Sequence, residues 1–212
     1  MTTTLDGPDG QPRCRWCATA PEFLAYHDTE WGYPVDDDRR LFEKLCLEGF
    51  QSGLSWRTIL AKRENFRAAF HGFDVERVAR FTQRDVERLP QDEGIVRHRG
   101  KIEAVINNAQ RVGELIAHEG SLAAFVWRYE PDTAQLAPPQ SATTSAQSIA
   151  LSKELKKRGW KFIGPATVYA FMQAMGLIND HAVGCVMRSP AQRAREAFRR
   201  PGGERLSAGG MP

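Results

Sequence analysis

The sequence predicts an all-α protein. Apolar residues recur every three or four positions along much of the chain, most clearly at residues 100–117. Residue types that cap helices precede these segments, and glycine or proline stands where several should end or begin. No segment shows the sustained alternation of apolar and polar residues that is typical of a half-buried β-strand. We therefore expect helices throughout the folded part of the chain.

The capping residues give the order of the helices. Asp37 or Asp38 can cap the first and Ser55 the second, because each has a side-chain oxygen for a free N–H group. Thr82, with Asp85 three residues later, has the spacing of a capping box. The other helices are expected after Asp74, at 100–117, after Ser121, and at 149–158, 165–175 and 180–187, with 131–147 as a long loop.

The chain is predicted to hold one folded domain between two disordered ends. Residues 1–12 resemble a loose arm, and 13–188 carry the periodic segments. Residues 189–212 form a tail rich in Gly, Pro and Arg, a composition typical of disorder. The tail holds five Arg and two Glu, which account for the whole net charge of +3. Because the rest of the chain is neutral, charge alone does not indicate nucleic-acid binding.

The sequence also predicts the cellular compartment. No apolar run approaches the roughly 18 residues of a membrane span, and residues 1–12 lack the regions of a signal peptide. We therefore expect a soluble, cytoplasmic protein with no membrane partner. There the four cysteines favour metal binding or free thiols over disulfides. They are Cys14, Cys17, Cys46 and Cys185.

The segment NDHAVGC places His181 and Cys185 four positions apart, on one face if the segment is helical. Such a pair can be two packed side chains or half of a metal site, and the spacing alone favours packing. Cys14 and Cys17 form a Cys-x-x-Cys pair that is also compatible with redox chemistry. However, redox pairs of this kind occur in a strand–helix context that the chain lacks.

The segment GWKFIG, residues 159–164, stands between two predicted helices, and Pro165 suits the start of the second. Gly164 would let a DNA phosphate approach the free N–H groups of that start, and Lys161 adds positive charge. The segment resembles the hairpin of helix-hairpin-helix DNA repair enzymes, although Phe162 replaces the first glycine. An ordinary corner between helices is the alternative. Ala166 stands where related enzymes that cut the backbone carry a lysine, which disfavours a lyase.

Glu48 follows Leu41 and Leu45 at helical spacing, so it lies on an apolar face where a carboxylate is costly unless it is used. Alternatively, Gly49 ends the helix and Glu48 bends to solvent. Aromatic residues crowd the neighbouring sequence, and they serve either as core or as a cage for a planar cation beside the carboxylate. These residues are Trp16, Phe23, Tyr26, Trp31, Tyr33, Phe50 and Trp56.

Several blocks in a fixed order resemble 3-methyladenine DNA glycosylase I, a family of helix-hairpin-helix glycosylases. The resemblance runs from about Arg13 to Cys185, some four-fifths of the chain. Its most specific pieces are AYHDTEWGYP, FEKLCLEGFQSGLSW, GIVRHRGKIEAVINNA, TTSAQSIALSKELKKRG and NDHAVGC.

The resemblance implies a structural Zn²⁺ that joins the N- and C-terminal segments, and it implies no organic cofactor. Two thiolates and two imidazoles suit tetrahedral zinc. Cys17 could replace one ligand, but we expect it to lie outside the site. The matching residues are Cys14, His27, His181 and Cys185.

The resemblance further implies an enzyme that acts as a monomer on double-stranded DNA with alkylated bases. It would flip N3-methyladenine into an aromatic pocket and hydrolyse its N-glycosidic bond. Glu48 would be the catalytic residue at the adenine edge, and Lys161 and Gly164 would bind the DNA backbone. Asp180 is a second candidate for activating water, although we expect it to cap the final helix. The base-binding candidates are Tyr26, Trp56, Trp16, Trp31 and Phe23.

A different class of protein would carry the same residues. A zinc-stabilised module could bind damaged DNA or a modified base without cleaving it. The aromatic cage and Glu48 would be present in both cases, so the sequence does not separate them. A turnover assay does.

Overall fold

The computed structural model describes residues 3–202 and confirms the predicted fold class. Helices, with the 3₁₀ turns included, account for 60% of the described residues and strands for 3%. Within the described residues, no helix is both long enough and apolar enough to cross a membrane.

The described part of the chain contains two short strands followed by eleven α-helices, with 3₁₀ turns between some of them. The strands are β1 Thr4–Asp6 and β2 Pro12–Cys14. The helices are α1 Pro21–Thr29, α2 Asp38–Gln51, α3 Trp56–Ala61, α4 Arg63–Ala69, α5 Val75–Ala79, α6 Gln83–Arg88, α7 Arg99–Glu119, α8 Leu122–Trp127, α9 Ala146–Lys157, α10 Pro165–Ala174 and α11 Arg188–Ala197.

The capping residues read from the sequence are confirmed. The Asp37 side chain accepts a hydrogen bond from the Arg40 backbone N–H at 2.8 Å and so begins α2. Ser55 caps α3 in the same way. Thr82 and Asp85 form the expected capping box of α6. These side chains satisfy N–H groups that the first turn of a helix leaves unpaired.

Helix α2 lies at the centre of the fold, in contact with α3, α7, α8 and α10. The carboxylate of Asp38 at its start also accepts from the N–H groups of Leu122 and Ala123, at 3.1 and 2.8 Å, and so caps α8. The helix continues through Gly49 to Gln51. The alternative in which Gly49 ends it and releases Glu48 to solvent is therefore wrong.

The prediction of a disordered arm is corrected for residues 3–12. Strand β1 pairs with β2 in an antiparallel hairpin. Arg13, only 8% exposed, forms ion pairs with Asp9 and Asp28. The Val186 N–H also donates to the Pro12 carbonyl at 2.8 Å. The arm is ordered because these contacts tie it to both ends of the domain, which its polar composition does not reveal.

The predicted C-terminal boundary is also corrected, because α11 extends the folded chain past residue 188. Its Arg195, together with Arg200 beyond it, binds the buried carboxylate of Glu130 at 2.9 Å. Two of the five arginines that gave the tail a disordered composition are therefore partners of a buried acid. Residues 203–212 of the predicted tail lie outside the described part.

The predicted helix over residues 180–187 does not form. This segment turns instead, with Gly184 in a left-handed conformation at φ 90°. A left-handed residue interrupts a right-handed helix, and glycine adopts it without steric cost. The turn brings His181 and Cys185 inward without a helix.

Candidate functional site

A cavity of about 760 Å³ opens between the N-terminal segment, α2, α3 and α10. We call it the base pocket, for the ligand that the family resemblance implies. The six residues predicted to recognise a base all line it, from four separate parts of the chain. They are Trp16, Phe23, Tyr26, Trp31, Glu48 and Trp56.

The rings of the base pocket hold one another in place. Trp16 meets Trp31 edge to face, with ring centroids 5.1 Å apart, and meets Phe23 in the same way at 5.7 Å. Tyr26 and Trp56 form a second, tilted pair at 5.4 Å. Edge-to-face and tilted contacts are favourable for aromatic quadrupoles. The walls are thus fixed without a ligand, and the space between them stays open.

Glu48 is 5% exposed, and it is paired with a residue that the sequence analysis did not select. The Lys44 ammonium lies 2.8 Å from Glu48 Oε1, one helical turn away on α2. It also donates to the Tyr26 hydroxyl at 2.8 Å and lies 3.4 Å from the centroid of the Trp56 ring. Burial lowers the pKa of Lys44 and raises that of Tyr26. Glu48, Tyr26 and Trp56, which are predicted to recognise a base, therefore all contact the Lys44 ammonium.

Asp180 lines the base pocket from another side, and the prediction that it caps the final helix is wrong. The residue before α11 is Met187. Asp180 instead accepts from the Gln140 backbone N–H at 3.0 Å and from Gln173 Nε2 at 2.6 Å. Burial raises its pKa. Both oxygens hold neighbouring segments of the pocket wall together.

The two halves of the predicted metal site meet behind the base pocket. Cys14, His27, His181 and Cys185 are all buried, and one ligand atom from each lies within 4.8 Å of the others. Sulfur-to-nitrogen distances are 3.6 and 3.7 Å, and His27 Nε2 lies 3.2 Å from His181 Nδ1. Ligands around tetrahedral zinc are separated by roughly 3.6 Å for S–N and about 3.3 Å for N–N. The donor set and its spacing fit such an ion.

The remaining imidazole nitrogens have partners that fix both rings. His27 Nδ1 lies 2.7 Å from Asp28 Oδ1, and His181 Nε2 lies 3.1 Å from the Trp31 carbonyl oxygen. Such outer contacts orient a metal-binding imidazole and select its tautomer. They leave His27 Nε2 and His181 Nδ1 directed to the centre of the cluster.

The thiols of this cluster are unequal without a metal. Cys14 donates a hydrogen bond to Cys185, which lowers the pKa of Cys185 and raises that of Cys14. Two adjacent thiolates repel each other, so one proton stays between them. Binding a metal cation would release that proton.

Cys17 is a buried free thiol that packs with Ala20 and Phe23. Among the described residues, the group of four potential ligands does not contain it. Its side chain also hydrogen-bonds to His27, so the exclusion of Cys17 from the site stays a prediction.

The segment 159–164 forms the predicted turn between α9 and α10. Phe162 has a φ of 55°, a left-handed conformation at the position where the related hairpin carries glycine. The turn is fixed to α7, since Asn108 donates to the Lys161 carbonyl at 3.0 Å and accepts from its N–H at 2.9 Å. Lys161 is exposed, Gly164 is the N-cap of α10, and Ala166 lines the base pocket. The turn and the pocket are therefore adjacent.

Comparison with known proteins identifies this arrangement. The model of the methyladenine glycosylase family matches residues 16–189, most of the chain. The chain belongs to this family. That membership confirms the resemblance drawn from the sequence.

Curated members of the family are similar over nearly their whole length. The chain is 51% identical over 177 residues to DNA-3-methyladenine glycosylase 1 of Escherichia coli, covering 82% of this chain and 95% of the relative. It is 44% identical to DNA-3-methyladenine glycosylase of Haemophilus influenzae, covering 82% and 96%.

Solved structures of methyladenine glycosylases share the fold. A crystal structure of 3-methyladenine DNA glycosylase I has a TM-score of 0.76 at 50% identity, covering 82% of this chain and 98% of that one. A structure of the Staphylococcus aureus enzyme, described as the basis of 3-methyladenine recognition, has a TM-score of 0.75 at 38% identity. It covers 81% of this chain and 95% of that one.

Several residues in or beside the base pocket were not selected from the sequence. Lys44 carried a usable signal, since it lies with Leu41, Leu45 and Glu48 at spacings of three, four and seven on one helical face. Others come from distant loops or from α10, and no pattern in the sequence marks them. They are Gln140, Tyr169 and Gln173.

Proposed function

We propose that the chain removes 3-methyladenine from alkylated duplex DNA by hydrolysing its N-glycosidic bond. The observation that carries this proposal is the base pocket, in which the five predicted aromatic residues and Glu48 surround one open space. The two curated relatives bear the name of this activity. A binding module that does not cleave would need the same walls, but it has no support from the family.

Each wall of the pocket has a part in this reaction. Trp56 and Tyr26 stack against the flipped base, with Trp16, Trp31 and Phe23 completing the enclosure. Glu48 accepts hydrogen bonds from the adenine edge at N6 through Oε2, because Oε1 is bound to Lys44. The alkylated base carries a positive charge and departs neutral. Strong protonation of the leaving group is therefore unnecessary.

Water completes the reaction by attacking the sugar. Glu48 remains our principal candidate for assisting it, since both oxygens of Asp180 already accept hydrogen bonds from Gln140 and Gln173. With Ala166 at the lyase position, the enzyme has no amine there for a Schiff base. The DNA backbone is therefore left intact.

The turn before α10 serves as the DNA backbone contact. Lys161 is exposed there, and the start of α10 at Gly164 presents N–H groups that suit a phosphate. Because Ala166 on the same helix lines the pocket, a phosphate held at this turn lies close to a base that has been flipped inward.

We propose that the enzyme acts as a monomer in the cytoplasm.

We further propose that the cluster of Cys14, His27, His181 and Cys185 binds a structural Zn²⁺. The tetrahedral spacing of two sulfur and two nitrogen ligands supports zinc over metals that prefer oxygen. Its role is structural because four protein ligands fill the coordination sphere. Metal analysis of protein purified under reducing conditions should find one zinc per chain, and a metal-free folded protein would contradict this.

Incubation with methylated duplex DNA and identification of the released bases tests the enzymatic function. We expect free 3-methyladenine, little 7-methylguanine and an intact backbone. The matched variants are Glu48→Gln and Glu43→Gln, since both carboxylates are buried on α2 and ion-paired but only Glu48 lines the base pocket. Glu48→Gln should slow release at least about tenfold more than Glu43→Gln. Absence of release by folded, metal-loaded wild type would leave the binding module as the better explanation.

A further inference from the structure

Lys44 lies behind the base pocket, beside the carboxylate and two of the aromatic rings that line the pocket. The ammonium contacts an anion, Glu48 Oε1, at 2.8 Å and a phenol oxygen, Tyr26 OH, also at 2.8 Å. The third neighbour is the face of Trp56, whose ring centroid lies 3.4 Å away. An ammonium has three N–H donors, and each has an acceptor here. This is the environment of a charged lysine.

The position of Lys44 lets it act on a bound base without touching it. Its side chain is 7% exposed, and it lines a small cavity of about 30 Å³ on the far side of Tyr26 and Trp56. These two rings line both the small cavity and the base pocket, whereas Lys44 lines only the small one. The ammonium therefore stands outside the space that a base would fill.

Four of the five other charged side chains around this small cavity are paired with one another, and the fifth, Arg40, is exposed, so solvent screens its charge. In the small cavity, Arg63 binds Glu30 at 2.7 Å and Arg67 binds Glu43 at 2.7 Å. Their charges largely cancel at a distance. The field at the Tyr26–Trp56 wall of the pocket is therefore governed by Glu48 and Lys44.

We propose that Lys44 sets the selectivity of the base pocket by cancelling the charge of Glu48. Recognition at this wall then depends more on stacking and hydrogen bonding, and less on the positive charge of the alkylated base. The inference rests on the proposed function, since it requires a base in the pocket. Lys44 is a specificity-determining residue that acts through Glu48 and Trp56.

The expected size of the effect follows from Coulomb's law. A lone carboxylate about 5 Å from a cation, at an effective dielectric constant of about 20, changes a binding constant by more than tenfold. An ammonium at 2.8 Å converts that carboxylate into a dipole, whose attraction falls off more steeply with distance. The indole of Trp56 already attracts one cation, so a second positive charge at the same ring gains less.

Two probes of the same shape separate charge from fit. The 3,9-dimethyladeninium ion is a permanent cation that carries a methyl group in place of the sugar. Its analogue 3,9-dimethyl-3-deazaadenine has a carbon at position 3 and is neutral. Both are titrated into the metal-loaded full-length protein at about pH 8, and tryptophan fluorescence gives each Kd.

The variants differ in what they keep of Lys44. Lys44→Met removes the charge and the hydrogen bonds, whereas Lys44→Gln removes the charge and keeps a donor for Glu48. Lys157→Met makes the same change in net charge at a lysine of α9 whose side chain is 65% exposed. We expect the preference for the cation over the neutral probe to rise at least about tenfold in both Lys44 variants. It should not change in Lys157→Met.

Several results would overturn the proposal. They are an unchanged preference, a reduced one, or an equal loss of affinity for both probes, which would show that Lys44 only shapes the wall. Thermal unfolding identifies the folded variants, and Lys44→Gln decides if Lys44→Met does not fold. If the wild type releases 3-methyladenine but the Lys44 variants keep the wild-type preference for the cationic probe, only the proposed role of Lys44 is refuted. If the wild type binds neither probe, the proposal that this pocket binds a base is refuted, and the role of Lys44 is refuted with it.

Discussion

The metal-type cluster and the base pocket are neighbours that use polar groups in opposite ways. In the cluster, the ligand atoms of four side chains face one another within 4.8 Å. In the pocket, rings and one carboxylate surround a volume of about 760 Å³. Trp31 belongs to both regions, since it lines the pocket and its ring centroid lies 4.7 Å from that of His181.

This difference shows how a small helical protein keeps a large cavity. Open space forfeits packing contacts, so the walls around it need support from elsewhere. Trp16 and Trp31 receive that support from the cluster, because both rings pack against His27, at 5.3 and 6.1 Å. We infer that the metal-type cluster makes the walls of the base pocket rigid.

Loss of the metal should therefore have the largest effect and should disable both regions. Binding of a structural metal is folding free energy, on the order of 10 kcal/mol for zinc in small domains. Cys185→Ser, or chelation of the wild type, should lower the melting temperature and abolish binding of the base probes. Thermal unfolding and probe titration with and without chelator measure this.

The pocket should depend on the metal-type cluster, but the cluster should not depend on the pocket. Variants of the pocket wall should retain their metal, which elemental analysis of each purified variant would establish. Full probe binding after stoichiometric removal of the metal would break the comparison, because the pocket would then stand without the cluster.

Glu48→Gln should have the next largest effect, and it should leave the metal-type cluster in place. It leaves the buried ammonium of Lys44 without an anion, and breaking a buried pair in this way costs about 3–5 kcal/mol of folding free energy. Adding Lys44→Met to Glu48→Gln removes the unpaired charge and should restore most of that stability. Chemical denaturation of wild type, both single variants and the double variant gives the coupling energy.

Additive losses in that cycle would show that Lys44 and Glu48 do not stabilise each other. The cycle also matters for the activity assay. A slow Glu48→Gln enzyme is informative only if it is folded, and the double variant provides the stable background.

Asp28→Asn should have the smallest effect and should touch only the cluster. Asp28 accepts from His27 and from Arg13, and an amide orients an imidazole less strongly than a carboxylate does. We expect metal affinity to fall by roughly 10- to 100-fold, measured by competition with a colorimetric chelator. At saturating metal, probe binding should be unchanged.

Asp9→Asn is the matched control for that variant. Asp9 binds the same Arg13 but is half exposed. It should leave metal affinity within about twofold of wild type, since exposed ion pairs contribute little. An equal loss of metal affinity in Asp28→Asn and Asp9→Asn would show that the contact with Arg13, and not the contact with His27, controls metal binding.

The sequence predicted the helices well because their signals are local. Asp37, Ser55 and the Thr82–Asp85 box act within one turn, so their residue types are sufficient evidence. The ends of the chain were mispredicted because their order comes from distant partners. Arg195 looks like part of a disordered tail until the buried Glu130 is known to lie beside it.

The site was predictable in the same uneven way. The aromatic residues and Glu48 lie within one stretch of about forty residues, and the family resemblance supplied the ligands of the cluster. The link between Asp180 and Gln140 spans forty residues without any pattern between them. Lys44 was missed although its helical position was visible, because a lysine on an apolar face is ordinarily explained by its long stem reaching solvent.

The contact between Pro12 and Val186 has a consequence for the topology of the chain. With the Val186 N–H bound to the Pro12 carbonyl at 2.8 Å, a segment near the start of the folded chain lies beside the segment that precedes its last helix. Chains whose ends are neighbours tolerate circular permutation. A permuted chain that joins these two regions through a linker could be opened at the exposed residues 132–135. The order in which the helices are synthesised is thus separable from the shape they form.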